Sequence, residues 1–213
     1  MSSEDPDFPG YDNEQGDAFD PEYLRRRAEN SPLDWRRWLR LGSVLEQRCE
    51  SAEAVIALER AARLNPHNGL AHYLLGRAMC QEGQRVKGAL ELATAVRLRP
   101  DYVHAWRMLG AIHLKAGRAD DALEAWLHAA RLAPDGDTYW SVATCFIAQR
   151  RFAEATVALE EAVRLKPIHT VAHRALAFLG RMRDEPDVMR RHLLQLFTLD
   201  EDMAREAEAD LGL

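Results

Sequence analysis

Among the residues that could do chemistry in this 213-residue chain, the eight histidines come first. His169 and His173 stand four apart, so on a helix they share one face, and such a pair binds a metal when a third ligand converges. His104 and His113 fall within one helical stretch. No HExxH or CxxC accompanies them, so no metal is expected. Three cysteines, Cys49, Cys80 and Cys145, form no metal-motif spacing and no even set, which argues against a disulfide framework and for a reduced, cytoplasmic setting. The adjacent carboxylates Asp120–Asp121 and Glu160–Glu161 could serve as general acid and base only inside a concave pocket; on amphipathic helices they read as solvated surface. There is no GxSxG and no phosphate-cradling glycine loop. No catalytic residue and no cofactor is nominated, and the chain does not read as an enzyme.

The chemistry that remains is recognition. Arg36, Arg77, Arg107, Arg174 and Arg181, with Tyr73, His104, Trp140 and Phe178, are of the types that supply binding energy at interfaces. Their spacing becomes intelligible from the elements that must carry them. Pro32, Pro66, Pro100 and Pro134 follow one another at 34 residues, and Pro167 comes 33 further on. A fixed period of this size signals a repeat architecture. With Trp35, Gly69, Val103, Gly136 and Thr170 as position 1, position 7 is Leu41, Leu75, Leu109, Val142 and Leu176. Position 8 is Gly42, Gly76, Gly110, Ala143 and Ala177; position 20 is Ala54, Gly88, Ala122 and Ala155; position 27 is Ala61, Ala95, Ala129 and Ala162. Position 4 is always a ring: Trp38, His72, Trp106, Tyr139, His173. Small residues at 8, 20 and 27 let two helices approach closely. Gly83 and Gly117 at position 15 suit a turn of positive φ. The prolines end each second helix, and Asp34, Asn68, Asp101 and Asp135 stand where they could cap the next first helix.

This pattern is similar to the tetratricopeptide repeat family over residues 35 to about 200. The fifth unit departs from it: Met189 and Leu196 replace the small residues, and no proline closes it. The resemblance implies an all-α, right-handed α-solenoid of about five helix–turn–helix repeats: 35–68, 69–102, 103–135, 136–169 and 170–202. A cap helix is expected at 21–30 and a C-terminal cap at 203–213. Helix pairs are predicted at 34–47 and 51–64, 69–82 and 85–98, 103–116 and 119–132, 137–149 and 152–165, and 170–182 and 186–199, with a last helix at 201–211. Residues 201–211 should cover the apolar face of Leu193, Leu196, Phe197 and Leu199. Residues 1–20 are Asp, Glu, Pro, Gly and Asn with scattered rings, a composition expected to stay disordered alone. Eight acids and no Lys or Arg lie in residues 1–22; removing them from the total of 34 leaves 26 acids against 28 bases. That balance is not basic, so a nucleic-acid partner is not expected. Nor does any apolar run approach the ~20 residues of a membrane span.

Positions 2, 5, 9 and 12 form one stripe on each first helix. By the resemblance this stripe lines a concave groove that holds partner peptides. The expected groove residues are Arg36, Tyr73, Arg77, His104, Arg107, Trp140, Arg174, Phe178 and Arg181. Five arginines against two acids, Glu46 and Asp137, point to an acidic partner segment with hydrophobic anchors. The family's carboxylate clamp for chaperone C-termini, the mark of a co-chaperone, resembles Lys and Asn at positions 5, 6 and 9. Here those places hold Leu39, Arg40, Ser43, Tyr73, Leu74 and Arg77, so that clamp is not expected. The expected function is an interaction scaffold. Its alternatives are a dedicated chaperone for a secreted or assembling subunit, and polyanion or RNA binding along the arginine stripe. The chain's own acidic tail, with Phe8, Tyr11 and Phe19, is a possible occupant of the groove. The oligomeric state is left open.

Overall fold

A computed structural model describes residues 19–212. Twelve α-helices and no strand occur among them: α1 (Pro21–Glu29), α2 (Trp35–Gln47), α3 (Ser51–Leu64), α4 (Gly69–Gln81), α5 (Arg85–Leu98), α6 (Val103–Lys115), α7 (Ala119–Leu132), α8 (Gly136–Ala148), α9 (Phe152–Leu165), α10 (Thr170–Met182), α11 (Pro186–Leu199) and α12 (Glu201–Leu211). The chain is an all-α repeat fold of the solenoid class. None of the helices described is long and apolar enough to cross a membrane. Two compact units divide between Ile112 and His113. The greater part of the acidic tail, residues 1–18, lies outside the described residues, and with it the expectation that the tail occupies the groove. Its last residue, Asp20, is not tail: its carboxylate accepts from the Glu22 and Tyr23 amides and caps α1.

In unit 1, α2 packs on α3 and α4, α4 on α5, and α1 against α2. The small positions explain how closely. A Cβ on Gly42 would stand 2.4 Å from Leu58 Cγ, and one on Gly76 2.8 Å from the Gly88 carbonyl oxygen. Leu39, Leu45, Leu58 and Leu92 fill the space so enclosed. The ring at position 4 has a second task besides packing. Trp38 Nε1 donates to the Pro32 carbonyl at 3.1 Å, and Trp106 Nε1 to that of Pro100 at 2.8 Å. His72 Nε2 lies 3.1 Å from the Pro66 carbonyl oxygen. Carbonyls just past a helix end lose their helical donor, and the ring N–H supplies another. Repeat four departs, for Pro134 precedes Tyr139 by five residues rather than six.

In unit 2, α8 pairs with α9 and α10 with α11, α7 packs on α8, and α12 packs on both α10 and α11. Val142, Leu159 and Leu176 centre one cluster; Leu193 and Leu196 join Ala204, Ala207 and Leu211 in another. The larger Met189 and Leu196, which break the small-residue pattern, are buried here. α12 does not cover the whole apolar face of α11: Phe197 and Leu199 each stay 36% exposed. Its three inward residues form one narrow seam, enough for Leu193 and Leu196 alone.

Local signals place the helix ends. Asp34, Asn68 and Asp135 cap α2, α4 and α8. Asp101 does not stand in the corresponding place, because α6 starts at Val103 and Tyr102 precedes it. His169 takes the cap position of α10, its Nδ1 accepting from the Ala172 amide at 3.3 Å. Position 15 is left-handed in all five repeats: Gly83 and Gly117 at φ 79° and 73°, but also Cys49, Arg150 and Asp184 at 61°, 59° and 56°.

Candidate functional site

The stripe expected to line a groove has a different character in each unit. In unit 1, α2 contacts α4, and Glu46 at position 12 reaches Arg77 and Gln81 on it. Leu39, Ser43 and Glu46 are buried there, and so is Tyr73, which sequence reasoning placed at the groove surface. Helix α2 contacts α4, and these side chains are buried, so they are packing rather than an open floor. Glu46 is 6% exposed and pairs with Arg77. It also accepts from Gln81 Nε2 at 3.2 Å, and Gln81 in turn accepts from Ser51 Oγ at 3.0 Å. A buried carboxylate must be paired, so the charge of Arg77 is committed within the fold. Its guanidinium lies over the Tyr73 ring at 5.4 Å, and that ring meets Tyr102 at 4.7 Å. His104 is exposed, edge-on to Tyr102 at 6.2 Å. Arg36 is exposed too, its guanidinium over Trp35 at 4.7 Å, while Arg107 is half-buried.

In unit 2 the stripe opens. Trp140 and Ile147 from α8 face Arg174 and Phe178 from α10 across a cavity of about 410 Å³. Phe152, Leu179 and Leu211 complete its apolar walls. Phe178 is 48% exposed and Met182 53%, which leaves a large apolar lip in water. Lining charge comes from Arg174 and Asp210, and these two pair: Arg174 Nη2 lies 2.6 Å from Asp210 Oδ2, and Nη1 lies 3.7 Å from Glu206 Oε2. Arg181, one stripe position beyond Phe178, is exposed and carries no ion pair among the described residues. Trp140 is held from behind by the His169 ring, with centroids 5.7 Å apart. His169 Nε2 reaches Asp137 Oδ1 at 3.4 Å, and Lys166 Nζ holds the same carboxylate at 2.9 and 3.0 Å. Burial pushes the His169 pKa down despite that carboxylate. The cavity can take a large apolar side chain beside a charge-assisted contact.

The residues first weighed for chemistry have other work. His169 caps a helix. His173 donates through Nε2 to the Pro167 carbonyl at 3.0 Å and meets His192 Nδ1 to Nδ1 at 2.9 Å. His72 meets Glu91 at 2.7 Å through the same two repeat positions, 4 and 23. His113 is half-buried, and burial lowers its pKa. Asp120 accepts from Gln149, and Glu161 pairs with Arg164 at the surface. The cysteines are free, and burial raises the Cys145 thiol to about 11, away from thiolate chemistry. Sequence reasoning missed Asp210 and Glu206 at the cavity. Only the packing of α12 against α10 brings them to Arg174.

The tetratricopeptide repeat family model matches residues 81–137. No curated protein matches the chain. Among solved structures, YrrB, described as a TPR protein with an unusual peptide-binding site, superposes with a TM-score of 0.78 at 17% identity, covering 89% of this chain and 99% of that one. MamA from Desulfovibrio magneticus RS-1, from residue 41 to its end, gives 0.68 at 20% identity, over 89% of this chain and 98% of its own. Another MamA structure gives 0.71 at 18%, over 77% and 96%. Identities this low speak for the fold. The repeat register read from the residues, the tetratricopeptide repeat match over residues 81–137 and the fold shared with tetratricopeptide-repeat structures agree.

Proposed function

We propose that this protein is a protein–protein interaction scaffold, and that unit 2 anchors a partner segment by a large apolar side chain in the cavity between α8 and α10. The cavity itself carries this reading: about 410 Å³ of apolar-walled space with Phe178 and Met182 half in water beside it. Burying an aromatic side chain supplies the energy, since rings that fill desolvated pockets dominate interfaces. The peptide-binding site named for YrrB supports the reading by fold analogy, which is a weaker warrant than the residues. Trp140, Arg174 and Phe178 are the groove residues it rests on, and Arg181 continues the same face. The polyanion reading has less support, because Arg77 and Arg174 are already paired with carboxylates.

The test uses fluorescein-labelled ten-residue peptides with one central Phe, titrated by anisotropy into the full chain and into Phe178→Ala. The expected result is saturable binding, weakened at least tenfold by Phe178→Ala with circular dichroism unchanged. Equal affinity for both chains removes the cavity from the interaction.

A further inference from the structure

We infer that α12 competes with the partner: Asp210 and Glu206 hold Arg174 in place of a carboxylate that the partner segment carries beside its apolar anchor. This rests on the reading of the cavity as a partner site and specifies both the partner's chemistry and its regulation. The committed occupant is an extended protein segment with an aromatic or large aliphatic residue and an acidic residue adjacent to it.

Three observations carry it. Asp210 stands in the last turn of α12, where the carbonyl end of the helix disfavours an acid, and that turn contains no basic residue. The helix gains nothing locally from a carboxylate there; the Arg174 guanidinium at 2.6 Å is what compensates it. Second, the pair is wet, with side chains 40% and 56% exposed. Ion pairs so exposed contribute little and exchange readily, so a second carboxylate can replace the first at small cost while the anchor provides affinity. Third, the face of α10 reads Arg174, Phe178, Arg181 at spacings of four and three, a ring between two cations. With Asp210 displaced, that face complements an acidic residue on either side of an apolar one. The last turn of α12 closes on Gly212, at φ 71°.

The experiment compares two peptides, a central Phe flanked by Glu and the same peptide flanked by Lys. Both are titrated into the full chain and into the double variant Asp210→Asn, Glu206→Gln, at low and at high salt. The Glu peptide should bind the double variant about two- to fivefold more tightly than the parent, the range expected for an exposed pair, with the gain shrinking in salt. Arg174→Gln should remove the preference for Glu over Lys. Equal affinity of the Glu peptide for parent and double variant, with binding still lost in Phe178→Ala, overturns the competition and leaves the cavity reading standing. A parent chain that prefers the Lys peptide overturns the partner chemistry. If neither peptide binds either chain, the cavity reading and this inference both fall.

Discussion

Stability should fall as pH drops from 6.5 towards 4, and His192, buried against His173, should account for the largest single part. The His173 and His192 side chains are 5% and 7% exposed. His173 Nε2 donates to the Pro167 carbonyl, so in the neutral ring its Nδ1 accepts, and the proton between the facing nitrogens belongs to His192. A further proton would put a cation into a dry site. Burial above all, then His173 and Arg191, pushes the His192 pKa from 6.5 down to about 4. The folded pKa is the lower one, so the neutral form is favoured by folding. The contribution is fully present above pH 6.5 and is lost progressively as pH falls towards the folded value. The loss reaches about 2 kcal/mol at pH 5 and about 3 kcal/mol by pH 4, at 1.36 kcal/mol per pKa unit. Urea titrations followed by circular dichroism from pH 7.5 to 4.5 measure it, and about 2 kcal/mol corresponds to a midpoint shift of roughly 1 M. His192→Gln supplies the comparison, since its amide can still donate to His173 but takes up no proton. His169 and His113, also pushed down by burial, contribute in the same direction in both proteins, so the difference isolates His192. Parallel pH profiles for parent and His192→Gln would refute the reasoning.

Other perturbations test the packing. Gly76→Val should cost about 1–3 kcal/mol from overpacking, because its Cβ would meet the Gly88 carbonyl oxygen at 2.8 Å; an unchanged melting temperature would show the repeat register to be wrong. Arg150→Gly should stabilise by about 0.5–1 kcal/mol, since relief of a left-handed φ of 59° outweighs the added chain entropy; a lowered melting temperature would contradict this. Arg77→Met leaves Glu46 buried without its cation and should cost about 3 kcal/mol in urea unfolding. Adding Glu46→Gln should restore most of that loss, and a double variant no better than the single would show that the two do not act as a pair.

The fold was legible in the residues alone, because each of its signals is local. A 34-residue period in proline, small residues at 8, 20 and 27, and polar caps at the joins specify a helix pair and its closure without reference to distant residues. Within each compact unit neighbouring repeats pack on one another, so reading one repeat reads the next. The ring at position 4 was legible as a packing residue; that its N–H satisfies the proline carbonyl six residues earlier was visible as a spacing, but its purpose was not. The stripe was legible as a face and not as a surface. Whether position 5 is floor or filling depends on how close the next first helix lies, and that is why Tyr73 is buried while Trp140 lines a cavity. Charge was still less legible. Counting five arginines on the stripe says nothing of which carboxylates reach them. Arg77 is matched by Glu46 31 residues earlier and Arg174 by Asp210 36 residues later. Coulomb attraction is set by distance and local dielectric, and both exist only once the helices have packed.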